Sequence, residues 1–276
     1  MKYRIQKVAV LGSGVMGSGI ACHLANIGLD VLLLDIIPFD LSDEDKKNPV
    51  IRNSVVNGAM KAALKSKPAP LYNKKFASRI TTGNFDDDLD NISDADWIIE
   101  VVIENLKIKR EVYEKVEKHR KQGTLITSNT SSIPIKLLAE GRSEDFAKHF
   151  VGTHFFNPAR YMPLFEVIPH QGSLDSVTEF FMEYGDVYLG KKTVLCKDTP
   201  GFIANRIGVL SGIKMMELTD KHKMKIEEVD ALVGDLIARP KTGHFRLQDL
   251  VGIDTCLLYT SPSPRDATLS RMPSSA

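Results

Sequence analysis

Short apolar runs alternate with amphipathic stretches along most of the chain. Residues 7–11 form an apolar run ending at Gly12, which predicts a strand. Residues 15–27 carry small and apolar side chains at helical spacing and stop at Gly28, a glycine suited to a helix C-terminus. Residues 30–36 read DVLLLDI, near-continuously hydrophobic as parallel strands buried on both faces are. A polar, acidic loop follows at 38–49, then a predicted helix over 50–65, ended by Lys67-Pro68-Ala69-Pro70. Strands are predicted at 80–82, 95–103 and 124–128, with a helix over 106–119 between the last two. The rhythm continues with strands at 150–154 and 163–168, a helix over 175–189 and a strand at 192–196. Asp198-Thr199-Pro200-Gly201 interrupts it, and beyond lie helical patterns at 202–218 and 226–234. Strands alternating with helices predict an α/β fold. The expected architecture is a Rossmann-type, doubly wound parallel sheet over residues 1–199, followed over 200–255 by the start of an all-helical domain.

Residues 256–276, CLLYTSPSPRDATLSRMPSSA, have neither period and are rich in Ser and Pro. A disordered tail is one reading. Back-translated, however, CLLYTSPSPRD and SRMPSSA resemble two constant blocks of a sequencing-library adapter in one reading frame. The tail is therefore expected to be non-native, with the natural protein cut at about Thr255 and its helical domain truncated.

Composition narrows the function. Of 276 residues, 43% are hydrophobic and 26% charged, which excludes a disordered chain or a disulfide scaffold. Lys+Arg number 36 and Asp+Glu 35, a net charge of +1 that gives no electrostatic footprint for nucleic acid. No stretch approaches the roughly 18 apolar residues of a membrane span. The apolar run near the N-terminus is too short for a signal peptide. Cys22, Cys196 and Cys256 make no disulfide framework and no metal motif, so a cytoplasmic protein without a metal is expected.

Gly12-Ser13-Gly14-Val15-Met16-Gly17 is G-x-G-x-x-G, placed between a predicted strand and a predicted helix. In that setting the first glycine allows a tight turn and the second lets a pyrophosphate approach the backbone. The third brings helix and strand close together. The first-turn N–H groups, at Val15 and Met16, then face the phosphate. Asp35 ends the second strand, 18 residues after Gly17. Its carboxylate suits the two adenosine ribose hydroxyls and repels a 2′-phosphate, so the expected cofactor is NAD and not NADP. A Gly-rich turn with an incidental Asp is the competing reading.

Seven histidines offer a proton acceptor. His154 stands out because it ends a predicted strand, and ligands of open α/β sheets bind outside the strand C-termini. A packing histidine among Phe155 and Phe156 is the bland alternative.

Several blocks, taken together, resemble the 3-hydroxyacyl-CoA dehydrogenases. They are His154-Phe155-Phe156-Asn157-Pro158 with Leu164 to Ile168, Ser128-Asn129-Thr130-Ser131-Ser132, Glu104 to Lys109, Asp198 to Arg206, and Phe245 to Thr255. The resemblance implies oxidation of (S)-3-hydroxyacyl-CoA to 3-oxoacyl-CoA in fatty-acid β-oxidation. In it His154 is the general base and Glu166 holds its far ring nitrogen. Ser131 and Asn205 bind the substrate oxygen, and Ser131 also lies near the nicotinamide of the cofactor. Asn129 and Asn157 lie on the cofactor side, and Glu104 and Lys109 contact the nicotinamide ribose. Each has a plainer alternative: a surface glutamate for Glu166, a helix cap for Ser131 or Ser132, a solvated helix start for Glu104 and Lys109, an ordinary polar residue for Asn205. Lys61, Lys65 and Lys67 are candidates for the CoA phosphates, or else a solvated helix face. The long segment 38–53 resembles large bacterial fatty-acid oxidation proteins, which implies an enoyl-CoA hydratase-like domain in the full-length protein. The family's homodimer would use the helical domain. A dehydrogenase of another β-hydroxy acid and a non-catalytic NAD-binding relative are the competing functions.

Overall fold

The structure, a computed structural model, describes residues 3–239 and 241–251. The chain divides into two compact units, one ending at Asp198 and one beginning at Thr199. In the first unit eight strands form one sheet: β1 (Lys7–Leu11), β2 (Asp30–Asp35), β3 (Ile80–Asn84), β4 (Trp97–Glu100), β5 (Leu125–Ser128), β6 (Phe150–Phe155), β7 (Leu164–Ile168) and β8 (Lys192–Leu195). Their order is β3-β2-β1-β4-β5-β6-β7-β8. The order turns back between β1 and β4, which opens a crevice at the strand C-termini there.

The helices of this unit are α1 (Val15–Asn26), α2 (Pro49–Arg52), α3 (Ser54–Lys65), α4 (Leu106–His119), α5 (Ile135–Ala139), α6 (Glu144–Lys148) and α7 (Asp175–Val187). The two-residue period of the strands sends successive side chains to opposite faces. Val8, Val10, Trp97 and Ile99 pack with Ile20 and Leu24 of α1 and Phe181 and Tyr184 of α7. Ala9, Leu11, Leu34 and Ile98 pack on the other face with Ile92 and Val116.

The sheet departs from the sequence reading in one respect that matters for the site. The pairing of β6 with β7 is antiparallel, whereas every other pairing is parallel. Hydrophobic runs do not carry strand direction, so the pattern could not show this. The helix expected over 50–65 is broken at Asn53, whose side-chain oxygen accepts from the Asn84 side chain at 2.8 Å. An Asn side chain drawn to such a partner competes with helix continuation. The strand expected over 95–103 ends at Glu100. Helices α5 and α6 were not expected, because five residues are too few to display a helical period.

The second unit contains α8 (Ala204–His222), α9 (Ile226–Leu232) and α10 (Phe245–Val251). Lys223, at φ 51°, ends α8 in the left-handed conformation. The Asp230 carboxylate accepts from the N–H groups of His244, Phe245 and Arg246 at 2.7, 2.7 and 3.0 Å and so caps α10. Residues 252–276, including the tail expected to be non-native, lie outside the described residues. Among the described residues no helix is long and apolar enough to cross a membrane, and no cluster of His, Cys, Asp or Glu could hold a metal ion.

Two buried basic groups, Lys191 and His23, lie behind the loop that joins β6 to β7. The Lys191 ammonium donates to the Ala159 and Met162 carbonyls, and burial pushes its pKa down to about 8. His23 donates from Nε2 to the Leu189 carbonyl at 3.0 Å. Burial first, then the charge of Lys191, pushes His23 down to about 4 from 6.5. Between those values the unfolded chain binds a proton that the folded chain does not. This stabilisation is therefore complete above pH 6.5 and is lost as the pH falls toward 4. Denaturant titrations at pH 7 and pH 5 should show the wild type losing about 2 kcal/mol more than His23→Gln. Equal losses in the two proteins would rule the assignment out.

Candidate functional site

The Gly-rich turn follows directly from β1. Gly12 adopts φ +107°, and a Cβ there would lie 2.6 Å from the Val101 carbonyl oxygen. A Cβ on Gly17 would lie 1.8 Å from the Gly12 carbonyl oxygen, so only glycine lets α1 start this close to the strand. A Cβ on Gly14 would meet nothing within 4 Å, which leaves that side of the turn open. No side chain caps the start of α1, where the N–H groups of Val15 and Met16 lie. This cradle fits a pyrophosphate. Asp35, at the end of β2, is turned onto the same loop. Its Oδ2 accepts from the backbone N–H and the hydroxyl of Ser13 at 2.6 and 2.5 Å, and its Oδ1 from the Ile36 N–H at 2.7 Å.

A cleft of about 460 Å³ runs beside the cradle. Its lining includes Gly14, Val15, Ala59, Ala62, Lys67 and Asn157. Asn157 thus reaches the same cleft as Gly14. Lys61 and Lys65 are exposed on α3 and do not line it.

Glu104, Lys109 and Ser131 form one network with a residue the sequence reading overlooked, Glu100 at the end of β4. Lys109 is 1% exposed. Its ammonium donates to Glu100 Oε1 at 2.6 Å and lies 3.3 Å from Glu104 Oε2. Lys109 is therefore beneath the site surface, not a solvated residue at a helix start. Burial opposes its charge, but Glu100 and Glu104 hold its pKa above the ordinary lysine value. Burial would likewise raise Glu104, yet the Lys109 charge and donors from residues 130–132 hold it below the usual carboxylate range. Glu104 Oε1 accepts from the Thr130 hydroxyl at 2.6 Å and from the Ser131 and Ser132 N–H groups at 2.9 and 3.0 Å. Neither serine caps a helix. The N–H groups opening α5, those of Ile135 and Lys136, are taken by the Asp198 carboxylate at 2.6 and 2.9 Å.

Asn129 joins the ends of β5 and β6. Its side-chain oxygen accepts from the Phe155 N–H at 2.9 Å. Next to it, His154 on β6 stands directly opposite Glu166 on β7. The two are 5% and 0% exposed, and His154 Nδ1 lies 2.7 Å from Glu166 Oε2. A carboxylate only accepts, so Nδ1 is the donor in this bond. The surface reading of Glu166 is excluded by its burial. Asn205 lies in the first turn of α8, in the second unit.

Residues 7–199 match the family model described as 3-hydroxyacyl-CoA dehydrogenase, NAD binding domain. Residues 201–268 match the one described as 3-hydroxyacyl-CoA dehydrogenase, C-terminal domain. The chain is 50% identical over 261 residues to a probable 3-hydroxyacyl-CoA dehydrogenase of Bacillus subtilis, covering 92% of this chain and 33% of that protein. It is 40% identical over 261 residues to a putative fatty acid oxidation complex trifunctional enzyme of Rickettsia felis, covering 95% of this chain and 35% of that protein. It spans about a third of the length of both relatives. The crystal structure of (S)-3-hydroxybutyryl-CoA dehydrogenase from Ralstonia eutropha superimposes with a TM-score of 0.72 at 29% identity, covering 97% of this chain and 93% of that one. Fold and cradle define a dinucleotide-binding protein of the Rossmann class. More narrowly, the chain belongs to the 3-hydroxyacyl-CoA dehydrogenase family, and residues 7–199 are its NAD-binding domain.

Two substitutions test the cradle. Removing the Asp35 carboxylate deletes charge-assisted hydrogen bonds, so Asp35→Ala should raise the NAD dissociation constant about ten-fold or more. An unchanged value would remove Asp35 from the cofactor site. Gly17→Ala forces a Cβ into the Gly12 carbonyl and should lower the melting temperature by several degrees or prevent folding. Wild-type thermal stability would contradict the packing described.

Proposed function

We propose that the protein oxidises (S)-3-hydroxyacyl-CoA to 3-oxoacyl-CoA in fatty-acid β-oxidation. The observation that carries the reading is the buried His154–Glu166 pair at 2.7 Å, with Nδ1 as the donor. NAD, when bound, supplies the acceptor for the hydride leaving C3. His154 Nε2 takes the proton of the 3-hydroxyl, and Glu166 stabilises the imidazolium that results. Imidazole suits both directions because its proton exchanges near neutral pH. The Ser131 hydroxyl donates to the substrate oxygen and polarises the carbonyl in the reverse reaction, and the family's motif gives Asn205 a substrate-binding role. Asp35, Gly12, Gly14 and Gly17 bind the cofactor's adenosine and pyrophosphate. Glu104, Asn129 and Asn157 act on its nicotinamide side, Lys109 through its pairing with Glu104.

The Rickettsia felis relative bears the name of a fatty acid oxidation complex, which supports the pathway and an acyl-CoA substrate. We assign to the whole protein a further hydratase-like domain, a reading that the trifunctional enzyme name of that relative supports. A homodimer through the helical unit and a cytoplasmic location complete the reading. The boundaries proposed are an NAD-binding domain over 1–199, the start of the helical domain over 200–255 and a non-native tail over 256–276.

His154→Ala should lower kcat with acetoacetyl-CoA by about 10²–10⁴-fold while NADH affinity stays within about two-fold. Turnover close to wild type would remove the general-base role. Activity on free 3-hydroxybutyrate equal to that on its CoA ester would instead favour another β-hydroxy acid as the substrate.

A further inference from the structure

Glu100 is the last residue of β4 and is 0% exposed. Four donors satisfy its carboxylate. Oε1 accepts from the Val102 N–H at 2.8 Å and the Lys109 ammonium at 2.6 Å. Oε2 accepts from the Tyr113 hydroxyl at 2.8 Å and the Ser128 hydroxyl at 2.6 Å. An ionised carboxylate this deep persists only with such compensation. Lys109 reaches it from the first turns of α4, whose start is capped by the Asn105 side chain on the Ile108 N–H at 3.1 Å. The same ammonium donates to the Val102 carbonyl at 3.2 Å and pairs with Glu104, which in turn gathers the backbone of Ser131 and Ser132.

We propose that Glu100 is a positioning residue for Ser131, acting through the buried chain Glu100–Lys109–Glu104. Glu104 lies on the connection between β4 and α4, not within either element. What fixes its carboxylate beneath the 130–132 turn is the charge of Lys109, and what keeps that charge in place out of water is Glu100. If Glu100 is made neutral, Lys109 keeps a single carboxylate partner, relocates toward it, and shifts the turn that carries Ser131. Displacements of about 1 Å at a reacting site can cost as much as 10²-fold in rate.

The inference rests on the reading of Ser131 as a substrate-binding residue, and two readouts separate them. The first is amide hydrogen exchange in the full chain. Glu100→Gln should speed exchange at Ser131 and Ser132 about ten-fold while Gly12 to Gly17 stay as in the wild type. The second is a double-mutant cycle on acetoacetyl-CoA turnover. Glu100→Gln should lower kcat roughly ten-fold in the wild type but less than about two-fold in a Ser131→Ala background. Unchanged exchange, or equal losses in both backgrounds, would overturn the positioning role. A Ser131→Ala variant with wild-type kcat would fail the functional reading instead, and exchange would still decide whether Glu100 holds the turn. If Glu100→Gln does not fold, Tyr113→Phe removes one of the four donors and should speed the same two amides about three-fold. No change there would likewise overturn the proposal.

Discussion

The carboxylate of Glu100 is wholly out of water, and an ionised group in that position must be matched by donors on both oxygens. β4 delivers the group, Val102 turns its N–H back onto it, and α4 supplies Lys109 and Tyr113. Each donor belongs to an element whose placement the pairing then constrains. The loop leaving β4, the start of α4 and the end of β5 are thereby fixed relative to one another, and Glu104 and the 130–132 turn hang from that arrangement.

The same economy of space governs the cofactor side. Gly12 and Gly17 are within van der Waals range of each other's backbone, and the Val101 carbonyl closes the third side. Ser13 ties the turn to Asp35 on the neighbouring strand. Loop and carboxylate are therefore held together by two strands, a geometry that parallel pairing of β1 with β2 in this register supplies. Preorganisation of this kind lets backbone N–H groups act on a phosphate without first being ordered.

Much of this was legible in the residues. G-x-G-x-x-G sits in its expected context, and the spacing to Asp35 announces a dinucleotide site before any coordinates. The central strands such as β1 and β4 are visible as apolar runs, because a strand buried on both faces has little room for polar residues. The pairing of His154 with Glu166 was reachable only through resemblance, since twelve positions separate them and neither carries a local signal of contact. Glu100 was not legible at all. A glutamate at the end of an apolar run reads as a strand boundary, and its donors come from α4, β5 and the loop leaving β4.

The amino-acid sequence by itself determined the alternation of strands and helices and the glycine cradle, because each rests on local sterics and periodicity. Tertiary structure alone decided that β7 runs antiparallel, which sets His154 and Glu166 face to face. It also decided that Lys109 lies between two carboxylates and that Asp198, not a serine, caps α5. The physical reason is common to all three. Strand direction and the partners of buried charges depend on groups far apart in the chain, and only packing selects among the donors and acceptors available.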